Sequence, residues 1–381
     1  MASKRLLLLG GGHAHVQAVH AFATRPPPAA RVTLIDRAAL AAYSGMLPGL
    51  IAGHYSVADS HIDLAALCAW AGVAFVQEEA VSLDLERRIV TTAEGGRHEF
   101  DLLSIDTGSA PPLDAIRGAR EHAIAVKPID AFLAAIDRRI AQLAQQPGPA
   151  LAVIGAGAAG FEVVLALEHR LRMRAGGNHA ATFRLIAESE TVLPDFPQRV
   201  RRHAERRLRE QGIVVHTAPA VCTVERESVV LASGKRLPAH HVVLVTGAAP
   251  APMFRHAGLA TDERGFIAVD ATLRSVSHSD IFACGDVAAV LAHPRPKSGV
   301  YAVRQGPPLT DNLRHALQGA PLCPFVPQRE ALALLSTGRK HAIANRDGFT
   351  VQGDWVWRWK DRIDRRFVQR FGVRDERRGR T

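Results

Sequence analysis

A glycine-rich loop that occurs twice limits this chain more than any other feature. The first copy, LLLLGGGHAHVQAV, contains Gly10, Gly11 and Gly12; the second, LAVIGAGAAGFEVVLAL, contains Gly155, Gly157 and Gly160. Each follows a short aliphatic run that reads as a buried parallel strand, and each opens a segment with helical character. Glycine in such a loop permits a positive φ and lets backbone approach a pyrophosphate placed on a helix N-terminus. One loop implies a bound dinucleotide. Two, 145 residues apart, imply two dinucleotides in opposition, the arrangement by which a hydride passes between cofactors.

Both loops sit in a strand–loop–helix–strand–acid unit. After the first, a helix is expected from His13 to about Ala23, ended by Pro26-Pro27-Pro28. RVTLID then forms a second strand closing on Asp36, 26 residues after Gly10. After the second, a helix is expected from Ala158 to about Met173. FRLIAES is the return strand, ending near Glu188, 33 residues after Gly155. The RAGGNHAA insertion accounts for that longer gap. A carboxylate there accepts hydrogen bonds from a ribose 2′-OH and repels a 2′-phosphate, so NADH is expected over NADPH; Glu190 is the alternative acid. The first loop departs from the GxGxxG pattern, with His15 in place of the third glycine. His13 and His15 either touch phosphate or pack.

Two further segments rhyme: DLLSIDTGSAPP at 101–112 and HVVLVTGAAPAP at 241–252. Each is a strand ending in Thr-Gly with proline soon after, which extends the duplication beyond the loops. DIFACGDVA at 280–288 reads as a strand that delivers Gly285 and Asp286 to a turn before a helix. An acid there can bind a polyol. Glu162, two residues past Gly160, is either a stabilising acid at a helix N-terminus or an acid beside the reacting rings. Lys297 is either a surface lysine or a cation that stabilises negative charge on a reduced ring.

With 381 residues and 47% hydrophobic content, the chain has room for two or three domains with sizeable cores. The four cysteines are scattered and make no metal-ligand cluster, so no metal is expected and a reducing cytoplasm is the natural setting. The uncharged stretch from Ala38 to Ala58 carries Gly45, Pro48, Gly49 and Gly53 and reads as a loop; no spanning segment is expected. The net charge of +10 invites nucleic acid, an anionic membrane or anionic small ligands as partners. No nucleic-acid motif accompanies it, so nucleic acid is not expected.

The chain resembles the two-dinucleotide flavoproteins of the pyridine nucleotide–disulfide oxidoreductase superfamily. Within it, it resembles type II NADH dehydrogenases and the NADH dehydrogenase-like flavoproteins that occur alone or fused to selenide, water dikinase. GGGHAHVQ, YSGMLPGLIAGHYS, VKPIDAF, GAGAAGFE, ACGD and KSGVYAVRQGPPLTDNL carry the resemblance. It implies an α/β fold of two Rossmann-like FAD/NAD(P)-binding domains, the NAD domain inserted into the FAD domain. The expected boundaries are 1–118 and 246–320 for the FAD domain, 119–245 for the NADH domain and 321–381 for a C-terminal segment. FAD would be held by Gly10, Gly12, His13, Ala14, Asp36, Arg37, Ser44, Gly45, Thr107, Gly108, Gly285 and Asp286. NAD(H) would be held by Gly155, Gly157, Gly160, Glu188 and Gly247. Tyr43-Ser44-Gly45-Met46 takes the place of the redox cysteine pair and has no cysteine, so direct flavin chemistry is implied, with Glu162 and Lys297 tuning it. Cys284 reads as structural.

The implied activity is hydride transfer from NADH to flavin N5, then electron transfer to a quinone or a sulfur or selenium compound. The alternative is an electron-donating or regulatory partner of a selenium- or sulfur-metabolism enzyme. The tail GDWVWRWKDRIDRRFVQRF places Trp359, Ile363, Phe367 and Phe371 every fourth residue, with ten Arg/Lys against four Asp/Glu from Arg358 to Arg380. Such a helix lies in a membrane interface, covers the flavin domain, or meets a second copy in a homodimer. The first case would put a cytoplasmic protein peripherally on the inner membrane.

Overall fold

The computed structural model describes residues 3–145, 148–218 and 220–372. Two five-stranded parallel sheets organise it. In the first, Lys4–Leu9 is central, flanked by Ala30–Asp36 and Ala74–Gln77 on one side and by Leu102–Ile105 and Ile281–Ala283 on the other. In the second, Ala150–Ile154 takes the central place. Thr182–Ala187 and Val214–Thr217 lie on one side, and His241–Leu244 and Ala123–Ala125 on the other. Both central strands are covered on two faces, which is why they read as unbroken aliphatic runs. The second sheet thus falls between the fourth and fifth strands of the first.

The duplication is complete down to the accessory elements. Each half carries a three-stranded antiparallel sheet before its fourth long strand, at 80–99 and at 221–238. The two Thr-Gly segments meet each other. Ala110 and Ala249 exchange backbone hydrogen bonds of 3.0 and 2.9 Å, so the rhyming segments form a clasp between the two halves.

Helices follow the glycine loops at His13–Thr24 and Ala158–Arg174. Two expectations change. The 38–58 stretch is not all loop: a short helix, Leu47–Ala52, takes Pro48 in its first turn, where the missing N–H costs nothing, and stops at left-handed Gly53. The Gly285-Asp286 turn leads into a short strand, Ala288–Val290, and the next helix begins only at Gly299.

A C-terminal antiparallel sheet, Ala333–Thr337, Arg339–Arg346 and Phe349–Gly353, lies between the two halves. Strand alternation divides its side chains, with Ala342 and Ala344 in the first core and Leu335 and Ile343 in the second. The last helix, Asp354–Phe371, returns to the first half. The expected stripe on it is split. Phe371 is buried and Phe367 stacks on Tyr43 at 4.4 Å, but Trp359 and Ile363 are 40% and 38% exposed, beside Trp355 at 53%. The face turned inward is Val356, Trp357, Lys360, Asp364 and Val368. With this face inward, Lys360 reaches the Gly45 carbonyl. The basic residues at 373–380 lie outside the described residues.

Gly160 and Gly157 differ in what they tolerate. A Cβ on Gly160 would lie 1.8 Å from the Gly155 carbonyl oxygen, whereas one on Gly157 meets nothing within 4 Å. Gly160→Ala is expected to lower stability by about 3 kcal/mol or more by overpacking against rigid backbone. Gly157→Ala should stay within about 1 kcal/mol of the parent. Urea unfolding of the two variants checks the contrast, and equal losses would sink it.

Candidate functional site

The carboxyl ends of both sheets carry the glycines. Gly10, Gly108 and Gly285 hold φ of +91°, +73° and +64° in the first half; Gly155 and Gly247 hold +109° and +57° in the second. Asp36, at its strand end, accepts hydrogen bonds from Gly11 N (2.6 Å) and Ala38 N (2.8 Å). Arg37 pairs with Asp130 across the chain. Thr107 is exposed beside the clasp.

His15 packs. Its Nδ1–H donates to the Gly10 carbonyl (2.6 Å), and its Nε2 accepts from the Ser104 hydroxyl (2.7 Å). Burial pushes its pKa down to about 4, so it is a neutral strut. His13 is different. Its Nε2 lies 3.2 Å from the Ser44 hydroxyl, and its ring packs on Tyr43. Burial lowers its pKa to about 4 as well, with nearby Asp286 opposing and Lys127 assisting.

The residue that sequence reasoning missed is Asp106. It is buried at the end of strand Leu102–Ile105, and its Oδ2 accepts from the Ala14 and His15 amides (2.9 and 3.1 Å), capping the helix from across the sheet. A Cβ on Gly12 or Gly285 would fall 2.3–2.4 Å from its carboxyl group. Burial raises its pKa to about 8, against two backbone hydrogen bonds that pull it down. A signal existed. In the rhyming segment the same register holds Val245, and Asp106 N and Val245 N make equivalent bonds to Leu9 O and Ile154 O. A charge in place of a valine marks the site.

Asp286 forms an ion pair with Lys127 at 2.8 Å, and Gln305 accepts from Gly285 N at 2.5 Å. Lys297, by contrast, donates to the Ala288 carbonyl and sits 4.0 Å over the Phe266 ring; burial draws its pKa down to about 8. Lys127, not Lys297, is the cation in direct contact with Asp286. Cys284 is fully buried, its thiol pushed well up by burial and by Asp106, and all four cysteines are free.

Around Tyr43-Ser44-Gly45 a second polar group gathers. Lys360 Nζ donates to Gly45 O and to Asp364 Oδ2, both at 2.5 Å, and both side chains are buried. Burial raises the Asp364 pKa while Lys360 opposes it. Glu162 Oε1 accepts from Ser336 N at 2.7 Å; burial lifts its pKa to about 7, with Lys360 again pulling down. Glu162, Lys360 and Asp364 therefore share one field. Glu188 is exposed immediately after its strand, and Glu190 two residues on.

The residues fit dinucleotides. Among the described residues, the Gly12 and His13 amides have no acceptor in the chain at a helix N-terminus, and the space over Gly157 is open. Two glycine-loop units clasped at their Thr-Gly segments, with no dithiol between them, define a two-dinucleotide oxidoreductase fold. The chain belongs to the pyridine nucleotide-disulphide oxidoreductase family, whose model matches residues 4–306. It is 31% identical over 225 residues to an NADH dehydrogenase-like protein of Mycobacterium tuberculosis, covering 58% of this chain and 56% of that one. The chain thus spans little more than half the length of that relative. In structure it resembles NDH2 of Plasmodium falciparum (TM-score 0.81, 16% identity, 97% of each chain). It also resembles the sulfide:quinone oxidoreductase of Aquifex aeolicus (TM-score 0.79, 20% identity, 98% of this chain and 94% of that one).

Asp106 sets a pH dependence. Its folded pKa, about 8, lies above the ordinary carboxylate value, so the unfolded chain ionises first as pH rises. Stability is lost between about pH 4 and pH 8. Asp106→Asn keeps an acceptor for both amides and removes that loss. Its unfolding free energy in urea should gain on the parent's as pH rises from 5 to 8, by about 4 kcal/mol in all. A gap that does not change with pH would contradict the assignment.

Proposed function

We propose that the protein is a flavin-dependent NADH oxidoreductase that passes electrons to a small acceptor without a redox disulfide. The observation that carries this reading is the pair of glycine-loop helix N-termini on two clasped sheets, with cysteine-free Tyr43-Ser44-Gly45 at the first. Bound FAD would accept a hydride from NADH and pass the electrons on. In the first half, the Gly12 and His13 amides bind its pyrophosphate, Asp36 its ribose, and Asp286, released from Lys127, its ribitol. In the second, Gly155, Gly157 and Gly160 admit the NADH pyrophosphate, and Glu188 takes the ribose hydroxyls. Lys127, the partner of Asp286, would then be a free cation near the bound cofactor.

Glu162 titrates near neutrality and shares its field with Lys360 and Asp364. These groups supply protons to an acceptor that takes up two electrons. A quinone suits the exposed Trp355, Trp359 and Ile363, which lie among Arg358, Arg362 and Arg366 as on an interfacial helix. The fold likeness to a sulfide:quinone oxidoreductase supports a quinone. Among the described residues no helix is long and apolar enough to cross a membrane, so contact would be peripheral. An electron-donating role toward a sulfur- or selenium-metabolism enzyme is the second reading, favoured only if no small acceptor reoxidises the flavin.

Stopped-flow reduction tests the reading directly. NADH should reduce the bound flavin about tenfold or more faster than NADPH at equal subsaturating concentration, and Glu188→Ala should narrow the gap. Protein that takes up no FAD refutes the proposal. Glu162→Gln should leave reduction by NADH intact, slow reoxidation by a short-chain quinone, and remove a titration near pH 7 from the reoxidation rate. Deleting the last helix would expose the first core, so the membrane arm needs a milder change. Replacing Trp355, Trp359 and Ile363 with serine should abolish pelleting with anionic vesicles while flavin content stays unchanged.

A further inference from the structure

Away from the glycine loops, an open cleft of about 760 Å³ is lined by Arg170, Arg172, Arg174, Arg339, Lys340, His54 and His169, and by no acidic residue. Its volume lies in the range of small-molecule sites. It sits at the far end of the helix that begins at the second loop. Arg170 is eight residues beyond Glu162, roughly 12 Å along the axis.

The cations come from two elements held rigidly against each other. Arg339 and Lys340 follow Gly338, at the turn between the first two C-terminal strands. Gly338 has φ +81°, and a Cβ there would lie 2.3 Å from the Leu165 carbonyl of the facing helix. His54 Nε2–H donates to Gly338 O (2.8 Å), and Gln211 donates to Thr337 O (2.9 Å). The turn cannot retreat from the arginines it faces.

Two of the five cations have partners: Arg170 pairs with Asp137 and Arg172 with Glu168. Among the described residues Arg174, Arg339 and Lys340 have no acidic partner. A helix C-terminus favours Arg172 and Arg174 on its own, but it does not account for two more cations fixed opposite them. The field in the cleft registers on the histidines. Burial lowers the His54 pKa, the hydrogen bond to Gly338 opposes, and Lys340 lowers it further; burial, His54, Arg339 and Arg172 lower that of His169 against Glu168. Their rings lie 5.1 Å apart, and the buried Nδ1 of His169 has no hydrogen-bond partner. Like charges held together around an unsatisfied ring nitrogen are complementary to a multiply charged anion with several acceptor oxygens. A monocarboxylate would leave most of the charge unmet, whereas phosphate matches both the charge and the planar fork of arginine.

We propose that this cleft is a binding site for a phosphate-bearing anion of at least two charges, either a free phosphate compound or a phospholipid headgroup such as phosphatidate. The site is independent of the dinucleotide reading. Arg174, Arg339 and Lys340 hold the anion.

The test uses the full chain as purified, with whatever flavin it carries, in 150 mM salt and two probes. Inorganic pyrophosphate is titrated calorimetrically, with excess NADH analogue present to block the second glycine loop. Vesicles containing phosphatidate are compared with vesicles matched in surface charge by phosphatidylserine. Saturable pyrophosphate binding, weakened about tenfold or more in Arg339→Ala/Lys340→Ala, establishes the free-phosphate source. Preference for phosphatidate that the same variant loses, without pyrophosphate binding, establishes the lipid source. The variant must keep the parent's melting temperature and far-UV circular dichroism; Arg174→Ala is the second variant if it does not. Absence of both kinds of binding, or binding that neither variant weakens, overturns the proposal.

Discussion

In each half, the first turn of a helix has to lie against the carbonyl of the loop that precedes it, and the site depends on that approach. The second loop meets the demand by subtraction: Gly160 has no Cβ, and the Gly155 carbonyl takes the space. The first loop meets it by insertion. His15 fills the gap, donating to the Gly10 carbonyl and accepting from Ser104 on the neighbouring strand. Both solutions direct the helix N-terminus, with its unsatisfied amides, toward the carboxyl end of the sheet. Burial keeps that ring neutral, so the histidine adds no charge at the helix start.

The two ends are not electrically alike. At the first, Asp106 takes the Ala14 and His15 amides and leaves those of Gly12 and His13. At the second, Val245 stands in the same register and contributes no charge. A neutral Asp106 caps the helix without offsetting its partial positive charge, whereas an ionised one opposes any anion placed there. Asp286 adds a second acid to the first half and is compensated by Lys127. The half proposed to hold FAD is therefore sensitive to protonation in a way that the other is not.

The repeated pattern made the sheets, both loop helices and the strand-end acids legible, because period, glycine spacing and strand termination are local properties. Asp106, Lys127, Lys360 and Asp364 were not legible in that way. Asp106 lies 92 residues from the amide of Ala14 that it binds, and Lys127 lies 159 residues from Asp286. Only the comparison of one internal repeat with the other could have singled out Asp106. The Gly285-Asp286 turn was read correctly as a turn, but the element after it was not, since nothing local distinguishes a short paired strand from a helix start. Periodicity likewise found the last helix without finding its orientation. Four aromatic and aliphatic residues at helical spacing read as one helical face, yet Phe367 and Phe371 pack inward while Trp359 and Ile363 are partly exposed.

Hydrocarbon alone does not decide that orientation: turning Trp359 and Ile363 inward would gain about 2 kcal/mol for each side chain, but it would turn buried Val356 and Trp357 outward. The helix instead buries Lys360 and Asp364, an ion pair whose desolvation offsets much of its own attraction. Such a pair is weak evidence for stability, so its stabilising effect does not explain why the helix is turned this way. It does tie the C-terminal helix to the Gly45 carbonyl and, through the shared field, to Glu162. One helix then presents buried Lys360 and Asp364 to Tyr43-Ser44-Gly45, and exposed tryptophans to the outside. The proposed proton supply and the proposed apolar contact thus fall on opposite faces of the same helix, and the Lys360 contact with the Gly45 carbonyl fixes both at once.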